Sequence, residues 1–157
     1  MSAGPAIVIL EADPAGTPAR ACLDAYYAEL RRRSPADFQP AFDPDPDPGT
    51  LARPHGLFLL ALSAGEPLGC IALKPLGPAL AEVKRLWIDP AARGLGLSRR
   101  LMQAVEDGAR SLGYTTLRLD TNSALAEALA LYRSSGWTQI DRYNDDPYPD
   151  HFFEKVL

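Results

Sequence analysis

One stretch decides the fold, and it runs Val83-Lys84-Arg85-Leu86-Trp87-Ile88-Asp89-Pro90-Ala91-Ala92-Arg93-Gly94-Leu95-Gly96-Leu97-Ser98-Arg99-Arg100-Leu101. Its first part, as far as Ile88, has the β-branched, aromatic and aliphatic character of a buried strand. Asp89-Pro90 stops that strand, because proline cannot donate a hydrogen bond to a ladder. From Leu97 to Leu112, apolar residues recur at the spacing of one helix face. The stretch therefore predicts a strand, a turn that contains two glycines, and a helix.

The predicted turn has the features of an anion site. Gly94 and Gly96 let the backbone approach a ligand closely, and the first helical turn adds N–H donors that have no partner within the helix. Guanidinium groups are forked donors that suit phosphate oxygens, and the hydroxyl of Ser98 can donate as well. The arginines in and after the turn are Arg93, Arg99 and Arg100. The alternative is a helix start that merely tolerates glycine, and we interpret the turn as a phosphate site.

Two common phosphate loops do not fit this turn. A dinucleotide fingerprint needs a third glycine where this chain has Arg99, which disfavours a nucleotide-dependent oxidoreductase, and a Walker loop needs Gly-Lys-Ser/Thr. The run Arg93-Gly94-Leu95-Gly96-Leu97-Ser98, preceded by residues 82–88, instead resembles the pyrophosphate loop of the GNAT superfamily of acetyl-CoA-dependent N-acetyltransferases. The resemblance continues in Leu117-Arg118-Leu119-Asp120-Thr121 and in residues 128–137, so it covers about the C-terminal half of the chain.

The resemblance implies a fold, a reaction and a coenzyme site. The fold is α/β (α+β), with a mixed, mainly antiparallel sheet of about seven strands, helices on both faces, and a single domain over residues 1–157. The reaction moves an acetyl group from acetyl-CoA to a primary amine of a small molecule or peptide, by direct attack in a ternary complex and without a metal. In this family the loop holds the pyrophosphate of coenzyme A, and the preceding strand pairs with the pantetheine arm. By resemblance, the coenzyme-binding residues are Leu86, Trp87, Ile88, Arg93, Gly94, Leu95, Gly96, Leu97, Ser98 and Arg99.

Two residues are candidates for the proton transfers. Tyr132 occupies the family's tyrosine position before Gly136-Trp137 and is expected to act as general acid toward the leaving thiolate; the alternative is a core aromatic. Glu82 begins the strand that precedes the loop and is the candidate base; the alternative is a solvated acid at a strand end. Period-two alternation places Lys84 on the same face as Glu82, so an ion pair would keep the carboxylate charged but occupied.

The acceptor side of the site is less defined. Residues 142–149 resemble a loop that flanks the acceptor in some bacterial members, and Tyr143 in it is a candidate substrate contact. His151 is another, because imidazole titrates near neutral pH; the alternative is a surface histidine. Many members carry an asparagine where this chain has Leu125, and Asn122, three residues earlier, could serve only as a helix cap. The sequence does not identify the acceptor amine.

The remaining patterns predict the order β-α-β-β-β-α-β-α-β-β. The strands are expected at 6–10, 56–63, 68–74, 80–88, 115–121, 137–142 and 152–156, and the helices at 18–33, after Thr17 as N-cap, 97–112 and 124–134. The first helix is expected to turn Cys22, Ala25, Tyr26 and Leu30 to the core and to end on a solvated triplet, Arg31-Arg32-Arg33; the alternative for the triplet is a phosphate site. The acid-proline stretch 43–49 is expected to be an extended surface loop. The alternative for it is an acidic flap that attracts a cationic amine.

Composition sets the broad class. The 157 residues are 46% hydrophobic and 23% charged, and 20 acids against 16 bases argue against a nucleic-acid binder. Without a long apolar run or a secretory pattern, we expect a cytoplasmic protein with no membrane partner. Cys22 and Cys70 match no metal or redox spacing and are expected to be reduced structural thiols. The choice between monomer and homodimer stays open, and so does a second function, a non-catalytic acyl-CoA-binding sensor or interaction module.

Overall fold

The computed structural model describes residues 6–33 and 48–157. Short 3-10 turns lie at Pro48–Leu51 and Pro90–Ala92. Residues 43–47 of the acid-proline stretch lie outside the described residues, so neither interpretation of it is tested. The order of strands and helices is the predicted one. The elements are β1 (Ile7–Glu11), α1 (Thr17–Arg33), β2 (Leu57–Ser63), β3 (Glu66–Gly77), β4 (Leu80–Ile88), α2 (Leu97–Ser111), β5 (Thr116–Thr121), α3 (Ala126–Ser134), β6 (Thr138–Ile140) and β7 (His151–Val156).

The strands form one seven-stranded sheet in the order β1-β2-β3-β4-β5-β7-β6. All neighbours are antiparallel except β4 and β5, as the predicted fold class requires. The parallel register runs only from Leu80 opposite Thr116 to Glu82 opposite Arg118. Beyond it, β4 continues beside β3 and β5 beside β7. The two middle strands therefore separate toward their C-terminal ends, and the sheet opens there.

A bulge interrupts β4 at the point where the sheet opens. Cys70 lies opposite Trp87 and Ala72 lies opposite Lys84, so two residues of β4 face one of β3. Arg85 within the bulge has φ 62°, a left-handed conformation that bulky residues rarely adopt. The sequence analysis did not predict this bulge, because no glycine marks it.

Helices cover both faces of the sheet, as predicted. One core forms under α2 and α3, around residues such as Leu101 and Val105. The other forms under α1, around Phe58 and the free, buried thiols of Cys22 and Cys70. Ala25 and Tyr26, which were also predicted to face the core, are half-buried and pack against it. The buried residues of that helix are Ala19, Cys22, Leu23, Tyr27 and Leu30.

Three predicted boundaries are also corrected. β3 extends past the turn expected at 75–78, because Pro75 stays in register opposite Ala81. The strand expected at 137–142 shortens to β6, and α3 begins two residues later than predicted. Before α3, Asn122 Oδ1 accepts a hydrogen bond from the Ala124 N–H at 2.8 Å and forms a turn of its own.

Candidate active site

The first cavity, about 230 Å³, lies between α1, β4, the glycine turn and α3. It brings together most of the residues predicted to bind the coenzyme. Those that line it are Leu86, Trp87, Ile88, Arg93, Gly94, Gly96, Leu97 and Ser98. Leu95 and Arg99 are not among the lining residues. Leu95 is 66% exposed, and Arg99 Nη2 donates to Ser134 Oγ at 2.9 Å.

The turn requires its glycines for conformation rather than for space. Gly94 has φ 83° and Gly96 has φ 74°, and an added Cβ at either would meet nothing within 4 Å. Gly96 is the N-cap residue of α2, so the N-terminal end of this helix faces the cavity. Backbone N–H groups and the positive end of the helix dipole favour an anion at such a place. The geometry suits an anion at this turn, and the phosphate site stays a prediction.

Two ion pairs connect α1 to the other walls of this cavity. Arg93 Nη2 pairs with Glu29, and Arg93 Nε donates to the Ile88 carbonyl at 3.1 Å. Arg33 Nη1 lies 2.6 Å from Glu127 Oε2 on α3, and this hydrogen bond lowers the pKa of Glu127 to about 2. The prediction that Arg33 belongs to a solvated helix end is wrong, because Arg33 lines the cavity.

The second cavity, about 210 Å³, lies where β4 and β5 separate. Its walls come from α1, β4, β5, α3 and the segment 146–148, and they carry charge of both signs and several phenol rings. The charged residues are Lys84, Arg85, Asp120 and Asp146, and the aromatic ones are Tyr26, Tyr27, Tyr132 and Tyr148. The residues that line both cavities are Tyr26, Leu30, Leu86, Leu125 and Ala128. The two spaces are therefore neighbours, and Leu125 lies on their shared wall.

Tyr132 lines the second cavity and also packs in the core. It is 5% exposed, and its ring lies 6.0 Å from that of Trp137 and 5.9 Å from that of Phe153. Burial raises the pKa of the Tyr132 hydroxyl, and the nearby charge of Asp120 raises it further. The hydroxyl therefore keeps its proton at neutral pH, and because a raised pKa makes it a weaker acid, it is better suited to donate a hydrogen bond than to give up the proton fully. The two interpretations of this residue, acid and core aromatic, are compatible.

Glu82 lies behind the second cavity rather than in its wall. It is only 3% exposed, so the alternative of a solvated strand-end acid is wrong. Its Oε2 accepts a hydrogen bond from the Tyr143 hydroxyl at 2.6 Å, and Lys84 Nζ lies 3.3 Å from Oε1, as the alternation predicted. Burial, with the charge of Glu82, raises the pKa of Tyr143. This hydrogen bond fixes Glu82 and Tyr143 relative to each other. The two residues are absent from the walls of both cavities.

Asp120 is the carboxylate that sequence reasoning missed. It lines the second cavity from β5, and its Oδ2 accepts a hydrogen bond from Asn144 Nδ2 at 2.7 Å. Burial raises the pKa of Asp120 above its ordinary value. The only available signal was the alternation along β5, which buries Leu117 and Leu119 and leaves Asp120 on the half-exposed face.

The segment after β6 is fixed by side-chain hydrogen bonds to its backbone. Arg142 donates to the Asp146 and Pro149 carbonyls at 2.7 and 2.9 Å, and Asn122 Nδ2 donates to the Tyr148 carbonyl at 2.5 Å. These bonds hold Asp146 and Tyr148 at the second cavity. His151 lies elsewhere, with Nδ1 2.6 Å from Asp150 Oδ1, and lines neither cavity.

Residues 6–33 and 48–157 contain neither a metal-binding cluster nor a membrane-spanning helix. Within these ranges, no group of three or more His, Cys, Asp or Glu side chains is placed to hold a metal ion. No helix in the same ranges has the length and apolar character needed to cross a membrane.

Comparisons with known proteins agree on one family. The model of the acetyltransferase (GNAT) family matches residues 23–137. An IAA acetyltransferase of Azospirillum brasilense is 42% identical over 114 residues, 69% of this chain and 72% of that protein. An uncharacterized N-acetyltransferase of Schizosaccharomyces pombe is 38% identical over 105 residues, 66% of this chain and 64% of the relative. The match thus spans slightly less than two thirds of that second protein's length.

Solved structures extend the similarity to nearly the whole chain. An acetyltransferase of Streptococcus agalactiae has a TM-score of 0.76 at 25% identity and covers 96% of this chain and 98% of its own. A GNAT family acetyltransferase of Elizabethkingia anophelis, solved with acetyl-CoA bound, has a TM-score of 0.63 at 20% identity, over 96% of this chain and 98% of its own. The family match, the relatives and the fold lead to one conclusion: this chain belongs to the acetyltransferase (GNAT) family.

Proposed function

We propose that the chain is an N-acetyltransferase that moves the acetyl group of acetyl-CoA to a primary amine of a small molecule or peptide. One observation carries the proposal: a cavity with a phosphate-type turn shares a wall with a second, charged cavity that contains a buried tyrosine. A donor in the first and an acceptor in the second would meet at Leu86, Leu125 and Ala128. Holding both reactants in reacting geometry is itself a large part of catalysis.

The same arrangement favours direct attack in a ternary complex. A relay through an acyl-enzyme would need a nucleophile at the junction. Both cysteines of the chain are buried, in the core under α1, and neither lines either of these two cavities. The amine is therefore the group proposed to attack the thioester.

In this proposal the glycine turn and Arg93 hold the pyrophosphate, and residues 86–88 follow the pantetheine arm. The β4 bulge takes the backbone between Lys84 and Trp87 out of the regular ladder. That irregularity suits a backbone N–H that binds the developing oxyanion, a role that the resemblance carries to the 86–88 segment. Tyr132 donates a proton or a hydrogen bond to the leaving sulfur.

Two carboxylates compete for the role of base. Glu82, the sequence candidate, could act only through Tyr143 or a water, because it does not line the second cavity. Asp120 does line it, and burial raises its pKa toward the range that suits a base. We therefore propose Asp120 as the direct proton acceptor and keep Glu82 as the residue to be compared with it.

Thiol release tests the proposed function. The protein is incubated with acetyl-CoA and a panel of amino acids, polyamines, aminoglycosides and peptide N-termini, and the products are weighed by mass spectrometry. We expect thiol release that depends on the amine, with one acetyl group on the acceptor. Tight coenzyme A binding without amine-dependent release from any member of the panel would favour the non-catalytic module and refute the enzyme.

A further inference from the structure

Two consecutive residues of the segment after β6 reach the place where β4 and β5 separate. The Tyr143 hydroxyl donates to Glu82 Oε2 on β4 at 2.6 Å, and Asn144 Nδ2 donates to Asp120 Oδ2 on β5 at 2.7 Å. Glu82 is the last β4 residue in the parallel register, and Asp120 lies further along β5. A single short segment therefore holds one carboxylate of each strand where the sheet opens.

The orientation of the Asn144 amide is fixed at both of its ends. Its Oδ1 accepts a hydrogen bond from the Asp146 N–H at 3.1 Å. A backbone N–H can bond only to the oxygen of a side-chain amide, so the NH2 group is the end that faces Asp120. Asn144 therefore presents a donor to the Asp120 carboxylate, and turning the amide over would break the bond to Asp146.

The two oxygens of the Asp120 carboxylate differ as a result. Oδ2 accepts the hydrogen bond from Asn144, whereas Oδ1 has no hydrogen-bond partner among the residues that the structure describes. Nor does Oδ1 belong to the buried polar atoms that lack a partner in that part of the chain, so it is accessible. Because Asp120 lines the second cavity, Oδ1 is the oxygen that an amine in this cavity can meet.

Charged and titratable groups from several elements surround Asp120. Burial has the largest influence on the pKa of Asp120 and raises it, and the hydrogen bond from Asn144 comes next and lowers it. The charges of Glu82 and Asp146 raise this pKa, and the charge of Lys84 lowers it. The remaining groups are Arg85 on β4, Arg118 on β5, Tyr26 and Tyr27 on α1, Tyr132 on α3, and Tyr143 and Tyr148 after β6. Asn144 is thus the main contact that favours the charged carboxylate.

We infer that Asn144 is a positioning residue for the proposed reaction: it holds Asp120 by Oδ2 and leaves Oδ1 to take a proton from the acceptor amine. The proton passes from the ammonium nitrogen to Oδ1, so Asp120 becomes a neutral acid and the amine gains the lone pair that attacks the thioester. Oδ2 keeps its hydrogen bond throughout. This role of Asn144 rests on the proposed function and on Asp120 as its base.

The pH profile of activity is the first test, because a residue that only shapes the fold would not move it. A hydrogen bond accepted by a carboxylate favours its charged form, so loss of the Asn144 donor should raise the pKa of Asp120. Asn144→Leu removes the donor without adding charge, and we expect the acidic limb of kcat/KM to move up by about one pH unit. Asn144→Asp keeps an oxygen for the Asp146 N–H but places a second carboxylate beside Asp120, so we expect a larger shift in the same direction.

Gln103→Glu is the matched control. Gln103 Nε2 donates to Asp107 Oδ1 at 3.0 Å on the exposed face of α2, so this substitution also replaces an amide donor beside a carboxylate by a second carboxylate. Neither residue lines either of the two cavities, and the acidic limb should stay at its wild-type pH. An unmoved limb in the folded Asn144 variants, or an equal shift in Gln103→Glu, would overturn the inference.

Carbon NMR of the Asp120 carboxyl separates this inference from the proposed function, because it needs no turnover. We expect the titration midpoint of Asp120 to rise in both Asn144 variants and to keep its wild-type value in Gln103→Glu. If no amine supports thiol release, the proposed function fails, and a raised midpoint would still support Asn144 as the residue that positions Asp120. An unchanged midpoint would overturn that assignment. A raised midpoint with an unmoved activity limb would refute Asp120 as the base, and with it the inference, while the acetyltransferase proposal stands.

Discussion

The two cavities differ in how the chain builds them. The first is built largely from one continuous stretch, residues 86–98, closed by side chains of α1 and α3. The second takes Tyr26, Arg85, Asp120, Tyr132 and Tyr148 from five separate elements. A continuous stretch carries its geometry in local signals, such as glycines at positive φ before a helix. The second cavity exists only after the sheet has formed, so its residues carry no shared sequence signal.

The chemistry of the second cavity offers the largest expected effect. Tyr132→Phe keeps the ring and its packing and removes the hydroxyl. We expect turnover to fall at least about tenfold and by as much as the roughly 10²–10⁴-fold typical of a lost general acid, while acetyl-CoA affinity stays nearly unchanged. Tyr114→Phe is the matched control, since it removes another buried hydroxyl, bonded to the His55 carbonyl at 2.7 Å, away from both cavities. Wild-type turnover in a folded Tyr132→Phe protein would leave Tyr132 as a core residue only.

A comparison of Asp120→Asn with Glu82→Gln asks which carboxylate takes the proton. We expect kcat/KM to fall about a hundredfold in Asp120→Asn and clearly less in Glu82→Gln. A base works when deprotonated, so wild-type activity should be lost as pH falls through the pKa of Asp120, which burial raises above its ordinary value. That acidic limb of the pH profile should disappear in Asp120→Asn. The opposite ranking, with Glu82→Gln activity recovered at high pH, would return the role to Glu82.

In the first cavity we expect a smaller effect, which is a gain in coenzyme A affinity rather than a loss of activity. Glu29 pairs with Arg93, so it competes with any phosphate for that guanidinium. Glu29→Gln should therefore tighten coenzyme A binding by about two- to fivefold, the scale of a partly exposed ion pair. Glu11→Gln, which breaks the exposed pair with Arg53, should leave the affinity unchanged. Titration calorimetry measures coenzyme A affinity in both variants. Weaker binding in Glu29→Gln would contradict the prediction.

The pair between Arg33 and Glu127 gives the smallest effect. Because the pKa of Glu127 is lowered to about 2 in the folded protein, its stabilisation is present above the unfolded value near 4.5 and is lost as pH falls toward 2. Glu127 is 68% exposed, so the pair is expected to contribute less than about 1 kcal/mol. Glu127→Gln should lower Tm by a few degrees at pH 7 and not at pH 2. An equal difference in Tm between the wild-type protein and Glu127→Gln at both pH values would contradict this prediction.

The contrast between the cavities also explains which features of the structure could be predicted from the sequence. Hydrophobic periodicity predicts the element order, and the alternation along β4 predicts the ion pair of Lys84 with Glu82. The full burial of Tyr27 rather than Tyr26 could not be predicted, since the two residues are equally apolar and only packing decides which is more buried. The bulge at Arg85 could not be predicted, because it contains no glycine. The hydrogen bond of Glu82 with Tyr143 could not be predicted, because the two residues are 61 positions apart in the sequence. The position of Asp120 in the second cavity could not be predicted, because it depends on the separation of β4 from β5, and that separation is a property of the whole sheet.

Binding of acetyl-CoA at the glycine turn underlies every role proposed for both cavities, and the affinity of Gly96→Asp for acetyl-CoA measures it. Gly65, in the hairpin turn, is a matched control, because it has φ 81° against 74° for Gly96 and equally open surroundings. Both substitutions add the same charge and similar backbone strain. By calorimetry on folded proteins, we expect acetyl-CoA affinity to be at least about tenfold weaker in Gly96→Asp and unchanged in Gly65→Asp. Undiminished affinity in Gly96→Asp, or equal losses in both, would contradict it.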